Sequence, residues 1–202
     1  GKPARIHLKI DTGMGRIGFR IEEESIREIL RIRDLPGLEI EGIFSHFSTA
    51  DASDKEYAQE QLTRFNRVVK QLEAEGLIIP IHHIANSAAV IDLPESHLDL
   101  VRPGISIYGL YPSDEVQKDR VALRPALSLK ARITQVKEVL GETAISYGRT
   151  YITSGPTRIA SLALGYADGY PRVLSNRGEV LVHGQRAPVV GIITMDQFMV
   201  DV

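Results

Sequence analysis

The chain has no cysteine. That excludes a disulfide framework, a thiolate nucleophile and any cysteine-ligated metal. Histidine does not make up for it. His82 and His83 are adjacent, so on a strand they point to opposite faces, and the other histidines show no ligand spacing. No metal site is expected. A charge excess is missing too. Lys and Arg number 24 against 26 Asp and Glu, a formal net charge of −2, so neither nucleic acid nor an anionic membrane is expected as the main partner. No apolar run approaches the ~20 residues of a membrane span. Gly1–Arg5 lacks the long apolar core of a signal peptide, and a cytoplasmic location is expected. The glycine-rich stretch Asp11–Gly18 does not follow the GxxxxGK[ST] phosphate-loop pattern.

What is present alternates. Arg5–Ile10 reads as a strand entering the glycine-rich loop. Glu22–Arg33 reads as a helix with Ile26, Ile29 and Leu30 on one face, stopped by Pro36-Gly37. Leu38–Phe47 is a second strand. Ser53-x-x-Glu56 reads as a capping box opening a long helix, whose stripe is Ala58, Leu62, Phe65, Val69 and Leu72 and whose stop is Gly76. Leu77–Ala85 is a third strand, and Leu98–Val101 a fourth. Such alternation predicts a parallel α/β arrangement over residues 1–114. Residues 115–125 read as a polar linker. From 126 to 202 the pattern is β-rich, with Leu127–Val139, Arg158–Leu164, Glu179–Val182 and Ala187–Val190 separated by turns.

The polar candidates lie where strands end: Arg16 just past the first, His46 at the second, Asn86 and Ser87 at the third, Arg102 at the fourth. The C-terminal strand edge is where parallel α/β sheets and barrels build their sites. Arg102 is followed by Pro103-Gly104, a turn that bares backbone N–H groups. A fixed cation beside such a turn suits an anion or cofactor. The alternative is a surface ion pair beside a plain turn.

Several motifs occur together: Lys9-Ile10-Asp11-Thr12-Gly13-Met14-Gly15-Arg16, Val101-Arg102-Pro103-Gly104, Ser146-Tyr147-Gly148, Gly165-Tyr166-Ala167-Asp168-Gly169 and Met195-Asp196-Gln197. With these the chain resembles bacterial alanine racemase, end to end and in the family's order. The resemblance implies the later half of a (β/α)8 (TIM-like) barrel followed by part of a mostly β domain. It implies a cytoplasmic homodimer that uses pyridoxal 5'-phosphate (PLP) and interconverts L- and D-alanine by two-base proton transfer, supplying D-alanine for peptidoglycan. The family's lysine signature, Lys-Ala-Asn-Ala-Tyr-Gly, does not occur here, and the sequence ends within the apolar run Phe198–Val202. An excerpt of a longer enzyme, inactive alone, is therefore expected. A serine or broad-specificity racemase on the same scaffold, or a non-catalytic fragment, remain alternatives.

The resemblance also implies roles. Tyr147 would be the catalytic tyrosine, reaching across from the second subunit. Arg102 would face the pyridine nitrogen, and His46 would bridge Arg102 and Tyr147. Ser87, with the Gly104 and Ile105 backbone N–H groups, would hold the phosphate, and Asn86 would lie near the ring. Arg16 and the Met195 backbone would hold the substrate carboxylate. Tyr166 and Asp196 would line the entrance, Asp168 would be structural, and Lys9 is a possible carbamylated lysine. On the residues alone, Tyr147 reads as a strand tyrosine packing beside Gly148, and the alternatives are a core histidine for His46 and an ordinary turn for Tyr166–Gly169. Thr194 stands where relatives often carry cysteine before the Met-Asp pair.

Overall fold

A computed structural model describes all 202 residues as two compact units, Gly1–Leu127 and Ser128–Val202. The first unit carries a three-stranded parallel sheet, β1 (Ala4–Lys9), β2 (Leu38–Phe44) and β3 (Ile81–His83), in that order. Helix α1 (Glu23–Arg33) joins β1 to β2, and α2 (Glu56–Ala74) joins β2 to β3. Their apolar stripes cover one face of the sheet: Ile26 and Ile29 from α1, with Ala58, Phe65, Val68 and Leu72 from α2, are buried together with Leu8 and Ile43. The expected stripe of α2 holds at Ala58, Phe65 and Leu72, while Leu62 and Val69 pack at its margin.

Gly76 ends α2 as expected, and the geometry shows how. Its φ of +79° places it in the left-handed region. Its N–H bonds to the Glu73 carbonyl, and the Leu77 N–H to that of Leu72. This paired 6→1 and 5→2 closure satisfies the last carbonyls of the helix.

The start of α2 differs from expectation. Ser53 does not cap it: the Glu56 N–H bonds to Asp54 Oδ1, and the Ser53 N–H is taken by Glu115. The Asp54 carboxylate, one residue nearer the helix, is the better-placed acceptor. The fourth strand is also absent. Leu98 adopts a left-handed φ of +47°, which breaks the extended chain. Asp99 N–H to His82 O, Arg102 N–H to Ala85 O and the Asp99 carboxylate, which accepts the His82 N–H at 2.9 Å, tie this segment alongside β3. Leu98, Leu100 and Val101 are exposed rather than buried. Residues 115–125 pack onto the first unit: Val116 joins its core, the Gln117 N–H bonds to Asp92, and Arg120 to the Ile91 and Asp92 carbonyls.

The second unit is antiparallel. β4 (Ile133–Val139), β7 (Thr157–Leu162), β10 (Phe198–Asp201), β9 (Gln185–Val190) and β8 (Glu179–Val182) form one sheet in that order. β5 (Ala144–Ile145) and β6 (Tyr151–Ile152) form a separate short ribbon. β8 turns into β9 through His183-Gly184, both at positive φ, the conformation whose twist matches a tight hairpin. Ala160, Val189, Ile193, Phe198 and Val200 make its core. No helix in either unit is long and apolar enough to cross a membrane.

Candidate active site

The ends of β1, β2 and β3 converge on Arg102. Its Nη2 donates to the Ser45 carbonyl at 2.6 Å, and reaches the Ile84 carbonyl and His46 Nδ1, both at 3.4 Å. Its Nη1 donates to His83 Nδ1. The guanidinium also lies 5.3 Å from the centre of the Phe44 ring. Burial lowers the Arg102 pKa from its ordinary value, yet arginine remains a cation at any physiological pH. Arg102 Nε takes part in none of these bonds.

His46 therefore meets Arg102 as the sequence suggested, but the short partner is His83, which sequence reasoning set aside. Burial lowers the pKa of His46, and the charges of Arg102, Arg16 and Lys9 lower it further. The same physics acts harder on His83: burial, then Arg102, His7 and His82, bring it down to about 4. Both rings are neutral near pH 7. The signal for His83 was available in the strand period, which puts it on the same side of the sheet as Lys9 and Phe44, its register partners in β1 and β2.

A cleft of about 290 Å³ opens beside Arg102, and its walls include His46, Asn86, Ser87, Gly104 and Ile105. So the residues expected around the cofactor are brought together. Ser87 Oγ accepts the Gly104 N–H at 2.7 Å and the Ser106 N–H at 3.3 Å, and lies 3.2 Å from Ser106 Oγ. Ser106 was not foreseen. Asn86 uses its side chain to cap helix α3 (Ser87–Asp92), accepting the Ala89 N–H at 3.1 Å.

Gln61, fully buried on α2, ties the loops behind this cleft. Its Nε2 donates to Thr12 Oγ1 and the His46 carbonyl, and its Oε1 accepts from Ser48 N and Oγ. A polar residue inside an apolar stripe was the only sequence hint. Asp11 organises the adjacent loop. Burial opposes its charge, but the N–H groups of Gly15, Gly13 and Met14, each 3.0 Å away, outweigh that together with Lys9, and its pKa is lowered. The loop carries Arg16, which is exposed and forms no ion pair. Lys9 Nζ donates to the Ile10 carbonyl at 2.8 Å, and burial, opposed by Asp11 but aided by Arg102 and Arg16, brings its pKa down to about 8.

The second unit holds a separate cleft of about 470 Å³ lined by Tyr147, Tyr166, Arg172, Thr194, Met195 and Asp196. Tyr147 lies between β5 and β6, flanked by Ser146, Gly148 and Arg149 at φ of 65°, 70° and 52°. Strained backbone of this kind is typical of functional positions. Ser146 Oγ holds it, donating to the Ile192 carbonyl at 2.6 Å. Tyr166 and Ala167 bond through their N–H groups to the Thr194 and Met195 carbonyls, leaving the Met195 N–H without a protein partner. Asp168 accepts the Gly165 N–H at 2.9 Å, a structural contact.

Comparison with known proteins agrees with this layout. Residues 1–112 match the model of the alanine racemase N-terminal domain, and residues 126–202 that of the C-terminal domain. The chain is 57% identical over 202 residues to the alanine racemase of Desulforamulus reducens, covering 100% of this chain and 55% of that protein. It is 52% identical over 202 residues to that of Clostridium perfringens, covering 52% of it. Among solved structures, the alanine racemase of Clostridium difficile superposes with a TM-score of 0.92 at 45% identity, over 100% of this chain and 52% of that one. The Bacillus anthracis enzyme with bound L-Ala-P superposes at 0.86 and 40% identity, again over 100% and 52%. The chain thus spans about half the length of its relatives. Its first unit is part of a (β/α)8 barrel and its second is part of the β domain that follows; it belongs to the alanine racemase family.

Proposed function

We propose that the full-length protein is an alanine racemase that interconverts L- and D-alanine with PLP as cofactor. The observation that carries this reading is Arg102, held at both Nη atoms by His83, Ser45 and His46 with its Nε–H unspent, on the wall of a cleft that also bares hydroxyl and N–H groups. The residues fit the group. Ser87, Ser106 and the Ile105 N–H suit a phosphate, to which the Gly104 N–H would turn from Ser87 Oγ, and a Cβ at Gly104 would meet only Ser87 Oγ, at 3.9 Å, so the backbone is open to approach. Arg102 Nε–H suits the pyridine nitrogen, and Asn86 lies beside them. PLP, when bound, acts as the electron sink that acidifies the α-hydrogen of the amino acid.

This chain's residues supply the rest. An arginine that stays protonated donates a hydrogen bond to the pyridine nitrogen without giving up its proton, which moderates the electron sink and favours simple proton exchange over transamination. Tyr147, acting from a second copy in a homodimer, takes or returns the α-proton on one face of the substrate. The lysine that would serve the other face is not among these 202 residues. Arg16 and the Met195 N–H hold the substrate carboxylate, and Tyr166 and Asp196 line its approach. His46 orients Arg102 and stays neutral. Lys9, with a pKa of about 8, has roughly a tenth of its amine neutral at pH 7. Such an amine adds carbon dioxide and releases a proton, giving a carbamate whose negative charge would hold Arg16.

The test is an assay of the full-length, PLP-loaded protein on alanine, serine, lysine and arginine, read by loss of optical activity. Alanine should win. Serine or a basic amino acid winning would replace alanine as the substrate, and no racemisation of any would sink the reading.

A further inference from the structure

Beyond the cleft, a line of polar side chains runs back along the sheet from Arg102. The strand register shows how it is built. β1 pairs with β2 through Ile6 opposite Ile40 and then His7 opposite Gly42, so Glu41 is an extra residue in β2. Such a bulge re-aims a side chain. Here Glu41 Oε1 accepts from Arg5 Nη1 at 2.5 Å, and its Oε2 lies 3.5 Å from His7 Nε2. The next residue is Gly42, and only glycine fits. A Cβ there would stand 2.4 Å from His7 Nδ1 and 2.5 Å from its Cε1. The His7 ring therefore crosses over β2 and reaches β3, where His7 Nδ1 lies 2.7 Å from His83 Nε2. The His83 ring stacks on Phe44, with centroids 4.9 Å apart and planes 4° apart, and its Nδ1 accepts from Arg102.

Proton bookkeeping gives this line one direction. Arginine can only donate, so His83 Nδ1 carries a lone pair and Nε2 carries the proton. That proton points at His7 Nδ1, which must accept. The His7 proton then sits on Nε2, facing the Glu41 carboxylate, and Arg5 anchors the far end. With a cation at one end and an anion at the other, the donors and acceptors along the line match in one pair of tautomers. We propose that His7 and Glu41 are positioning residues that fix the tautomer of His83 and, through it, the placement of Arg102; the link to catalysis rests on Arg102 facing the cofactor nitrogen. The titratable neighbours of His83 are Arg102, His7 and His82. Together with burial they hold it near 4, which keeps the imidazole free to accept from the guanidinium.

The test is ¹⁵N NMR of the full-length protein labelled at histidine, with and without PLP. His83 should appear with Nε2 protonated and Nδ1 bare in both forms. His7→Asn puts an acceptor oxygen near the Nδ1 position, so it should keep that tautomer and most of the activity. His7→Leu and Gly42→Ala should scramble the tautomer and lower kcat/KM on the order of 10-fold, as loss of an orienting partner does. A wild-type His83 with Nδ1 protonated would overturn the proposal. So would an unchanged tautomer in His7→Leu, or His7→Asn behaving as badly as His7→Leu. The NMR reading does not need activity. A protein with the expected tautomers that racemises nothing contradicts the proposed function and leaves the tautomer assignment standing; an active racemase without them contradicts the relay alone.

Discussion

The two clefts hold their functional groups by opposite means. In the barrel unit Arg102 is half-buried and gripped by side chains and carbonyls from three strand ends, with Gln61 tying the loops behind. In the β unit Tyr147 is 73% exposed and touches little; the backbone around it carries the order. Ser146 bonds Ile192, and Gly191 and Gly165 let strands approach where a Cβ would come within 2.7 Å of Ile145 O and 2.3 Å of Met195 O. A half-buried cation beside neutral histidines needs partners for its donors, because a buried guanidinium without them is costly. An exposed tyrosine needs only a stiff platform to hold its direction. Damage should therefore spread differently in each: through charge in the first, through backbone in the second.

The strongest break is Arg102→Glu in the full-length protein. On the proposed function a carboxylate there would share a proton with the pyridine nitrogen and strengthen the electron sink, and it would remove the cation that steadies His46 and His83. Racemisation should fall on the order of 10³-fold, the size of effect seen when a key electrostatic donor is lost, while transamination rises relative to it. A variant that folds and binds PLP with an unchanged ratio of the two reactions would show that Arg102 does not face that nitrogen.

Tyr147→Phe should cost on the order of 10²- to 10⁴-fold, the range of general acid–base catalysis, with no change in thermal stability because the side chain is exposed. Mixed with a variant lacking the PLP lysine, it should form heterodimers in which one site carries both lesions and the other neither. Proven heterodimers without recovered activity would show that the tyrosine is not supplied by the second copy.

Gly165→Ala sharpens the contrast. Its Cβ would fall 2.3 Å from the Met195 carbonyl oxygen and 2.4 Å from Asp196 N, both backbone atoms. The expected loss is about 1–3 kcal/mol, as for overpacking, read by denaturant unfolding, with racemisation falling because Tyr166 and Met195 separate. A neutral result would mean that the loop shifts without cost.

These contrasts also explain what the sequence could and could not disclose. Periodicity and turn glycines reveal local order, so both helices, Gly76 and the switch to β structure were legible. Strand-end position and motif resemblance picked out Arg102, His46, Asn86, Ser87 and Gly104, which the fold brings to the wall of one cleft. The apolar run Leu98–Val101 misled, because hydrophobicity alone cannot show the left-handed turn at Leu98. His83, Gln61 and Ser106 were missed for another reason: each works through a partner on a different element, 19, 49 and 19 residues away in the chain. His83 was considered only as half of an adjacent pair that could not share a metal. Its value depends on Gly42 and the bulge before it, and a single strand read alone does not show either.

The smallest effect separates the units by pH. His83 has a folded pKa of about 4 against an ordinary 6.5. A group held down in this way is neutral in the folded chain while the unfolded chain takes up a proton, so folding is favoured most above pH 6.5. That contribution is lost as pH falls from 6.5 toward 4, and stability should decline across that window. His46, also lowered, acts in the same direction. Both lie in the barrel unit, so its unfolding should carry the acid sensitivity. His83→Gln, which retains an acceptor and a donor, should flatten the slope between pH 6.5 and 4 without abolishing folding. If denaturant midpoints across that range have the same slope in the variant as in the parent, His83 is not held neutral by burial and Arg102, and the electrostatic account of the barrel cleft fails with it.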